Sequence, residues 1–318
     1  MSASLSFAID VFAVFGGRLS VSGWVTDVMP IASVELRSSG LPGGRQALAS
    51  YGTIDSPDVA AQRGPTGARA RFSEVFSFAA DTQSLADVHL AVVYASGETA
   101  GIGNLVGAQP NPASALQARF AELLHQMPKG ELLEVGSRAR SGIVRRDMAP
   151  EGWGYTGFDV LAGPNVDMVG DVHEIAETFA AGRFQAVTAF SVLEHLLMPW
   201  KAVIELNAVM SVGAIGLFTT HQCWPLHDEP WDFWRFSDRA WPALLNKKTG
   251  FEIIEAAMGE PAFIVAQRCH SATNFGLQQH GALASNVLFR KIGPTRLRWP
   301  VTVGDTIDTS YPAGNIPG

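Results

Sequence analysis

The chain reads as an α/β protein: a mostly parallel, seven-stranded sheet with helices on both faces, preceded by a small all-β sandwich of immunoglobulin-like type. Three observations predict this. Residues 1 to about 100 hold short alternating apolar stretches separated by Gly, Pro and Ser clusters, with no helical periodicity. From Ser114 the period changes, and Leu116, Phe120, Leu123 and Leu124 recur at helical spacing. Beyond them, apolar strands alternate with helical segments, an order that builds a parallel sheet through crossover connections. At 318 residues the chain also exceeds the usual size of one domain.

The elements follow in order. Arg18 to Val25 places Leu19, Val21 and Val25 on one parity, Arg71 to Phe78 alternates over part of its length, and Val34–Arg37 and Val88–Tyr94 are further short strands. This sandwich, 1–100, is read as an accessory domain. Its Ser38 to Ala70 segment, rich in Gly, Ser and Ala, is expected to be the least regular. Ser22-Gly23-Trp24 is read as a turn into a strand, with Trp24 an anchor of the sandwich rather than a sugar-stacking ring. Gly and Pro density makes 101–113 a linker.

The second domain, 114–292, opens with a helix capped by Ser114 and ended by Gly130. Strands are expected at Leu132–Val135, within Gly154–Val160, and at Val166–Val169, Phe184–Phe190, Ala214–Thr220 and Phe251–Met258. The seventh is either Ala262–Gln267 or Asn286–Lys291. Helices are expected at His173–Ala181, Trp200–Val212 and Arg239–Lys247, and 293–318 reads as an extended tail that covers one domain or an oligomer partner.

Composition excludes several classes. A hydrophobic share of 47% with 17% charged residues supports full-sized cores and argues against disorder. A net charge of −7 argues against general binding to a nucleic-acid backbone, which needs a basic face. The two cysteines, Cys223 and Cys269, form neither a disulfide framework nor a metal set, and the histidines and acids lack the spacing of a closed metal site. No stretch approaches the roughly 20 apolar residues of a membrane span. The apolar run from Leu5 to Phe15 carries Asp10 and lacks the basic start of a signal peptide, so a cytoplasmic protein is expected.

Residues 131–142, Glu-Leu-Leu-Glu-Val-Gly-Ser-Arg-Ala-Arg-Ser-Gly, take an apolar strand directly into a glycine turn of the kind that faces a ligand. Downstream come Asp159 at a second strand end, Asp171 after a third, Phe190-Ser191-Val192-Leu193-Glu194-His195, and a glycine-led strand from Gly213 to His221. Together these resemble the class I S-adenosylmethionine-dependent methyltransferases, in the branch that modifies small molecules, lipids and glycans, over roughly residues 115 to 292. The resemblance implies a Rossmann-like sheet and S-adenosyl-L-methionine as cofactor. It places the cofactor against Glu134, Gly136, Ser137 and Arg138, with Asp159 on the ribose, Asp171 and the backbone amide of Val172 on the adenine, and Ser191 lining the cleft. Asp171 reads equally as a helix cap in a capping box with Glu174. His195, in the family's Leu-Glu-His phrase, is read as ordering its loop rather than as a catalyst.

The first motif departs from the family pattern. Arg138 and Arg140 stand where glycines are usual. Either one of them pairs with the cofactor's carboxylate, or the pocket is lost and the domain is a relic, or both face solvent. A dinucleotide reading fares worse, because no Gly-x-Gly-x-x-Gly follows the first strand.

The loop from His221 to Ser237 holds Trp224, Trp231, Phe233, Trp234 and Phe236 beside two histidines, three acids and an arginine. Aromatic planes with polar edges make a sugar platform; alternatively, Asp232 and Arg235 are a structural pair under a hydrophobic lid. Methyl transfer to a hydroxyl needs alignment, exclusion of water and a proton acceptor. His227 with Asp228 is the first candidate for that base, and His221 the second. The expectation is O-methylation of a sugar or glycan precursor in polysaccharide biosynthesis. The rival is a non-catalytic binding or scaffolding protein. A small-molecule or glycan acceptor is the expected partner, with a second copy of the chain or a glycosyltransferase as protein partners.

Overall fold

The computed structural model describes residues 4–15, 17–79, 87–103, 105, 111–262, 264 and 281–312. Much of the linker 101–113, most of the strand candidate 262–267, Cys269 and the end of the tail lie outside the described residues. The chain divides into two compact units, Met1–Pro110 and Asn111–Gly318.

The first unit contains two antiparallel sheets. β1 (Ser6–Phe15), β2 (Arg18–Thr26), β3 (Ile31–Arg37), β4 (Arg45–Ala47), α1 (Pro57–Arg63), β5 (Arg71–Ser77), β6 (His89–Tyr94) and β7 (Thr99–Ile102) follow in order. One sheet runs β1-β2-β5 and the other β4-β3-β6-β7. Residues of both, among them Ile9, Leu19, Val21, Leu36, Leu90 and Val92, bury into one core. β1 is a strand that the sequence reading passed over, since its apolar residues run on without clean alternation. Gly23 stands inside β2 and not in a turn. A Cβ there would meet the Ala8 carbonyl oxygen at 2.2 Å, so the close approach of β1 requires glycine. Trp24 is partly buried beneath the Arg63 guanidinium, 5.6 Å from the ring centre. The Ser38 to Ala70 segment is more regular than expected, holding β4, α1 and two short 3-10 turns.

The second unit is built on one large mixed sheet. α2 (Pro112–Gln126), β8 (Glu131–Val135), β9 (Gly154–Asp159), β10 (Met168–Val169), α3 (Ile175–Thr178), β11 (Phe184–Phe190), α4 (Pro199–Val209), β12 (Met210–His221), α5 (Trp241–Leu244), β13 (Phe251–Ala262) and β14 (Gly281–Lys291) make it up. The strand order is β10-β9-β8-β11-β12-β14-β13. The first five pair in parallel, while β14 runs antiparallel to both its neighbours. Strand parity divides the side chains between two faces. Leu132 joins Leu116, Phe120 and Leu124 of α2 on one face, and Leu133 and Val135 join Val203 and Leu206 of α4 on the other.

Several helices are shorter than the sequence predicts, for local reasons. Asn111, and not Ser114, caps α2, its side chain accepting from the Ala113 amide at 3.0 Å, while Pro112 sets the first helical turn. α3 stops at Thr178 because Phe179 turns extended and packs edge-on to Phe158 and Phe184. α5 is one turn long, and the Asn246 amide bonds the carbonyls of Pro242 and Ala243 at its end. β10 begins only at Met168, since Asn165 is left-handed (φ 71°) and Asp167 accepts from the Gly157 amide. Met210, expected in the helix, opens β12.

A buried lysine locks α4 to the sheet. The Lys291 ammonium donates to the carbonyls of Asn207 (2.6 Å) and Met210 (2.7 Å) at the helix end, and its burial pulls its pKa down. Lys291→Met would leave those carbonyls without that donor. We expect a loss of about 1–3 kcal/mol of stability in denaturant titration; an unchanged midpoint would contradict this role.

Candidate active site

Chain order reverses between β8 and β11, because the chain leaves β8 for β9 on one side and returns to β11 on the other. In open α/β sheets such a switch point leaves a crevice beyond the strand ends. A cavity of about 930 Å³ occupies this place. Val135, Asp159 and Ser191, at the ends of β8, β9 and β11, line one wall, and His227, Asp228 and Trp231 of the loop after β12 line another.

Gly136 makes the first turn possible. Its φ is 73°, its amide donates to the Phe158 carbonyl at 2.8 Å, and a Cβ would lie 2.2 Å from a Val192 methyl. Ser191 is also left-handed, at φ 52°, held by its amide on the Thr219 carbonyl at 2.8 Å. A serine in that conformation is strained and persists only where its surroundings hold it. Asp159 is buried and accepts from the amides of Arg138 (3.2 Å) and Leu161 (3.0 Å), one on each oxygen. Each oxygen retains a second lone pair. Asp171 caps the turn at Val172, its Oδ1 accepting from the His173 amide at 2.9 Å and meeting the ring Nδ1 at 2.6 Å. Burial pushes its pKa up, but these bonds outweigh it and the net shift is down. The cap engages the second amide of the turn, and Asp171 and Val172 both still line the cavity.

Both arginines of the first turn are engaged by acids, although Arg140 remains exposed. Arg138 keeps 12% of its side chain exposed, lies 3.8 Å from Asp159 and rests its guanidinium 5.9 Å from the Tyr311 ring centre. Arg140 crosses to Asp228 and holds both carboxylate oxygens, one at 2.9 Å. Tyr311 completes this clasp, 2.7 Å from Asp228 and 3.1 Å from Arg140. The arginine pulls the Asp228 pKa down to about 2, so Asp228 is an ion-pair partner and unsuited to be the base that its sequence position implied.

Other expected residues fall elsewhere. Glu134 and Ser137 are buried and do not line the cavity. Glu134 points to the sheet face opposite Val135, bonded to Tyr155, Arg145 and Asn165, and burial raises its pKa despite these partners. His221 is likewise off the cavity wall, stacked on Trp224 with ring centres 5.0 Å apart. Of the five loop aromatics only Trp224 and Trp231 line the cavity, and Phe236 stacks on Trp241 in the core. Asp232 and Arg235 form a two-pronged pair at 2.6 and 2.8 Å, and Arg235 also donates to the carbonyls of Trp224 and Pro225, bracing the loop.

His195 gains most from the fold. Its Nδ1 donates to the Trp231 carbonyl, which leaves Nε2 as the lone-pair nitrogen at the cavity wall, 4.0 Å from Asp228. Its ring packs edge-on to His227 at 4.8 Å and to Tyr311 at 5.6 Å. The sequence showed no metal spacing, yet one ligand atom from each of Glu194, His195 and His227 lies within 4.8 Å of the others. Tyr311 was not legible as a site residue, because nothing local distinguishes it within the extended tail.

The clasp gives a pH signature. A free aspartate titrates near 3.8 and the clasped one near 2, so the stabilisation is complete above about pH 4 and is lost as pH falls through about 2. The difference in thermal midpoint between wild type and Asp228→Asn should shrink over that window. A difference that holds constant across it would contradict the clasp.

Residues 110–256 match a family described as a methyltransferase domain. No curated protein matches the chain. Solved structures similar to it include an S-adenosylmethionine-dependent methyltransferase from Archaeoglobus fulgidus (12% identity, 56% of this chain and 94% of that one, TM-score 0.41). Another is a putative methyltransferase from Bacillus halodurans (17%, 57% and 100%, TM-score 0.42). A third is the 1,6-didemethyltoxoflavin N1-methyltransferase of Burkholderia thailandensis, solved with bound 1,6-didemethyltoxoflavin and S-adenosylhomocysteine (12%, 56% and 79%, TM-score 0.40). Among the described residues no helix is long and apolar enough to cross a membrane. Residues 110–256 are thus the part of the chain that matches a methyltransferase domain.

Proposed function

We propose that this enzyme methylates a hydroxyl group of a sugar or glycan precursor. The residues present fit the cofactor. The cavity of about 930 Å³ lies in the range of ligand sites, and Asp159 keeps lone pairs for ribose hydroxyls. Gly136 brings its backbone to the wall without a side chain, and Val172 borders the same space. When bound, S-adenosylmethionine supplies an activated methyl on a sulfonium. The chain's part is to orient the acceptor, exclude water and receive charge.

The observation that carries the reading is the pairing of two imidazoles with two indole planes on one wall: His195 and His227 beside Trp224 and Trp231. Indole faces stack on the apolar faces of a sugar ring, and a lone pair on His195 Nε2 activates a hydroxyl held next to it. His227, the first candidate from sequence, lines the same wall with its Nδ1 3.2 Å from both Asp232 and the Pro225 carbonyl.

Calorimetric titration with S-adenosylhomocysteine should give one site, weakened at least about tenfold by Asp159→Asn, the equivalent of about 1.4 kcal/mol. Methylation assays over nucleotide sugars, oligosaccharides and quinone-like acceptors should show turnover with sugars. His195→Ala should lower that turnover by about 10²-fold or more with cofactor affinity retained. Turnover confined to aromatic or lipid acceptors would overturn the sugar assignment.

A further inference from the structure

We propose that Glu194, His195 and His227 hold a divalent transition-metal ion at the acceptor end of the cavity. Their ligand atoms lie within 4.8 Å of one another. Three on a tetrahedral ion with bonds of about 2.0–2.1 Å lie about 3.3 Å apart, so the group needs only to draw inward. His227, with 30% of its side chain exposed, is the member on the loop that can move.

Independent features make this a built site. Both histidines have Nδ1 engaged: that of His195 on the Trp231 carbonyl, that of His227 3.2 Å from Asp232 and 3.2 Å from the Pro225 carbonyl. Metal-binding imidazoles are oriented in this way, by a carbonyl or carboxylate on the nitrogen away from the ion. Glu194 is wholly buried, and its Oε1 accepts no hydrogen bond, although His221 Nε2 lies 3.1 Å away. Its other oxygen accepts from the Thr220 hydroxyl at 2.6 Å, which fixes the carboxylate. These partners outweigh burial and hold the Glu194 pKa down, so a charged carboxylate faces the histidines. Glu194 stands behind the cavity wall while the histidines line it, so an ion between them is anchored from within and keeps coordination positions open to the cavity.

Two nitrogens and one carboxylate select a borderline ion such as Zn²⁺, Mn²⁺, Fe²⁺ or Co²⁺ over Mg²⁺ or Ca²⁺, which favour oxygen sets. The role of the ion rests on the hydroxyl-methylation reading above. With the ion bound, the Nε2 lone pair of His195 is spent as a ligand and its role as base passes on: the hydroxyl, beside the ion's charge, gives its proton to water at the cavity mouth. Its oxygen then forms the bond to the methyl carbon, while the carbon–sulfur bond breaks and its electron pair stays on sulfur.

The test uses untagged full-length protein, stripped with a chelator and titrated with Co²⁺ by visible absorption. One ion per chain is expected, with affinity reduced at least about tenfold in His227→Ala and in Glu194→Gln; circular dichroism checks the fold. His227→Ala, on the loop, keeps the test decisive if Glu194→Gln fails to fold. S-adenosylhomocysteine is titrated into the same stripped samples. No uptake of Co²⁺ by wild type, or full affinity in a folded variant, overturns the metal site. Cofactor binding without Co²⁺ binding removes the ion and leaves the methyltransferase reading intact, whereas Co²⁺ binding without cofactor binding supports the ion and counts against the cofactor pocket.

Discussion

Two arginines in the turn after β8 would close a ligand pocket unless something held their side chains back. Asp228 does this for Arg140. The carboxylate takes the guanidinium on both oxygens, and Tyr311 from the tail bonds to both partners. Arg138 stays on the cavity wall, held 3.8 Å from Asp159 and by its own backbone amide on the same carboxylate. The cavity survives because each cation has an acid beside it, and one of those acids belongs to the loop after β12. The turn, the loop and the tail are therefore coupled through one charge cluster.

The sheet supplies the rest of the geometry. Parallel pairing of β8, β9 and β11 brings their ends to one edge, where glycine and a strained serine turn the backbone toward the same space. The loop after β12 is braced by Asp232 and Arg235 and hung from Glu194 through the amides of Phe233 and Trp234. This gives Glu194 and His195 a structural duty, since they hold the loop, while His195 Nε2 remains at the wall.

Much of this was legible in the sequence, and the misses have physical causes. The strands of the second unit could be read because a buried sheet needs largely apolar runs such as Leu132–Val135 and Phe184–Phe190, broken only by Glu134, Gln185 and Thr188. Asp159 and Ser191 could be placed because strand ends set their position. The helices were over-read, since aromatic packing by Phe179 and side-chain capture by Asn246 end them early, and such contacts are tertiary. The convergence of the loop with the rest of the site was out of reach for a related reason: no local pattern shows that Asp228 meets Arg140, 88 residues away in sequence, or that Glu194, His195 and His227 converge.

The central claim is that the charge cluster keeps the switch-point cavity open for a nucleoside. A crystal structure with S-adenosylhomocysteine tests it most directly. The account predicts ribose hydroxyls within hydrogen-bonding distance of Asp159, with Arg140 still on Asp228. A nucleoside bound elsewhere, or Arg140 released from Asp228 into the nucleoside's space, would contradict it.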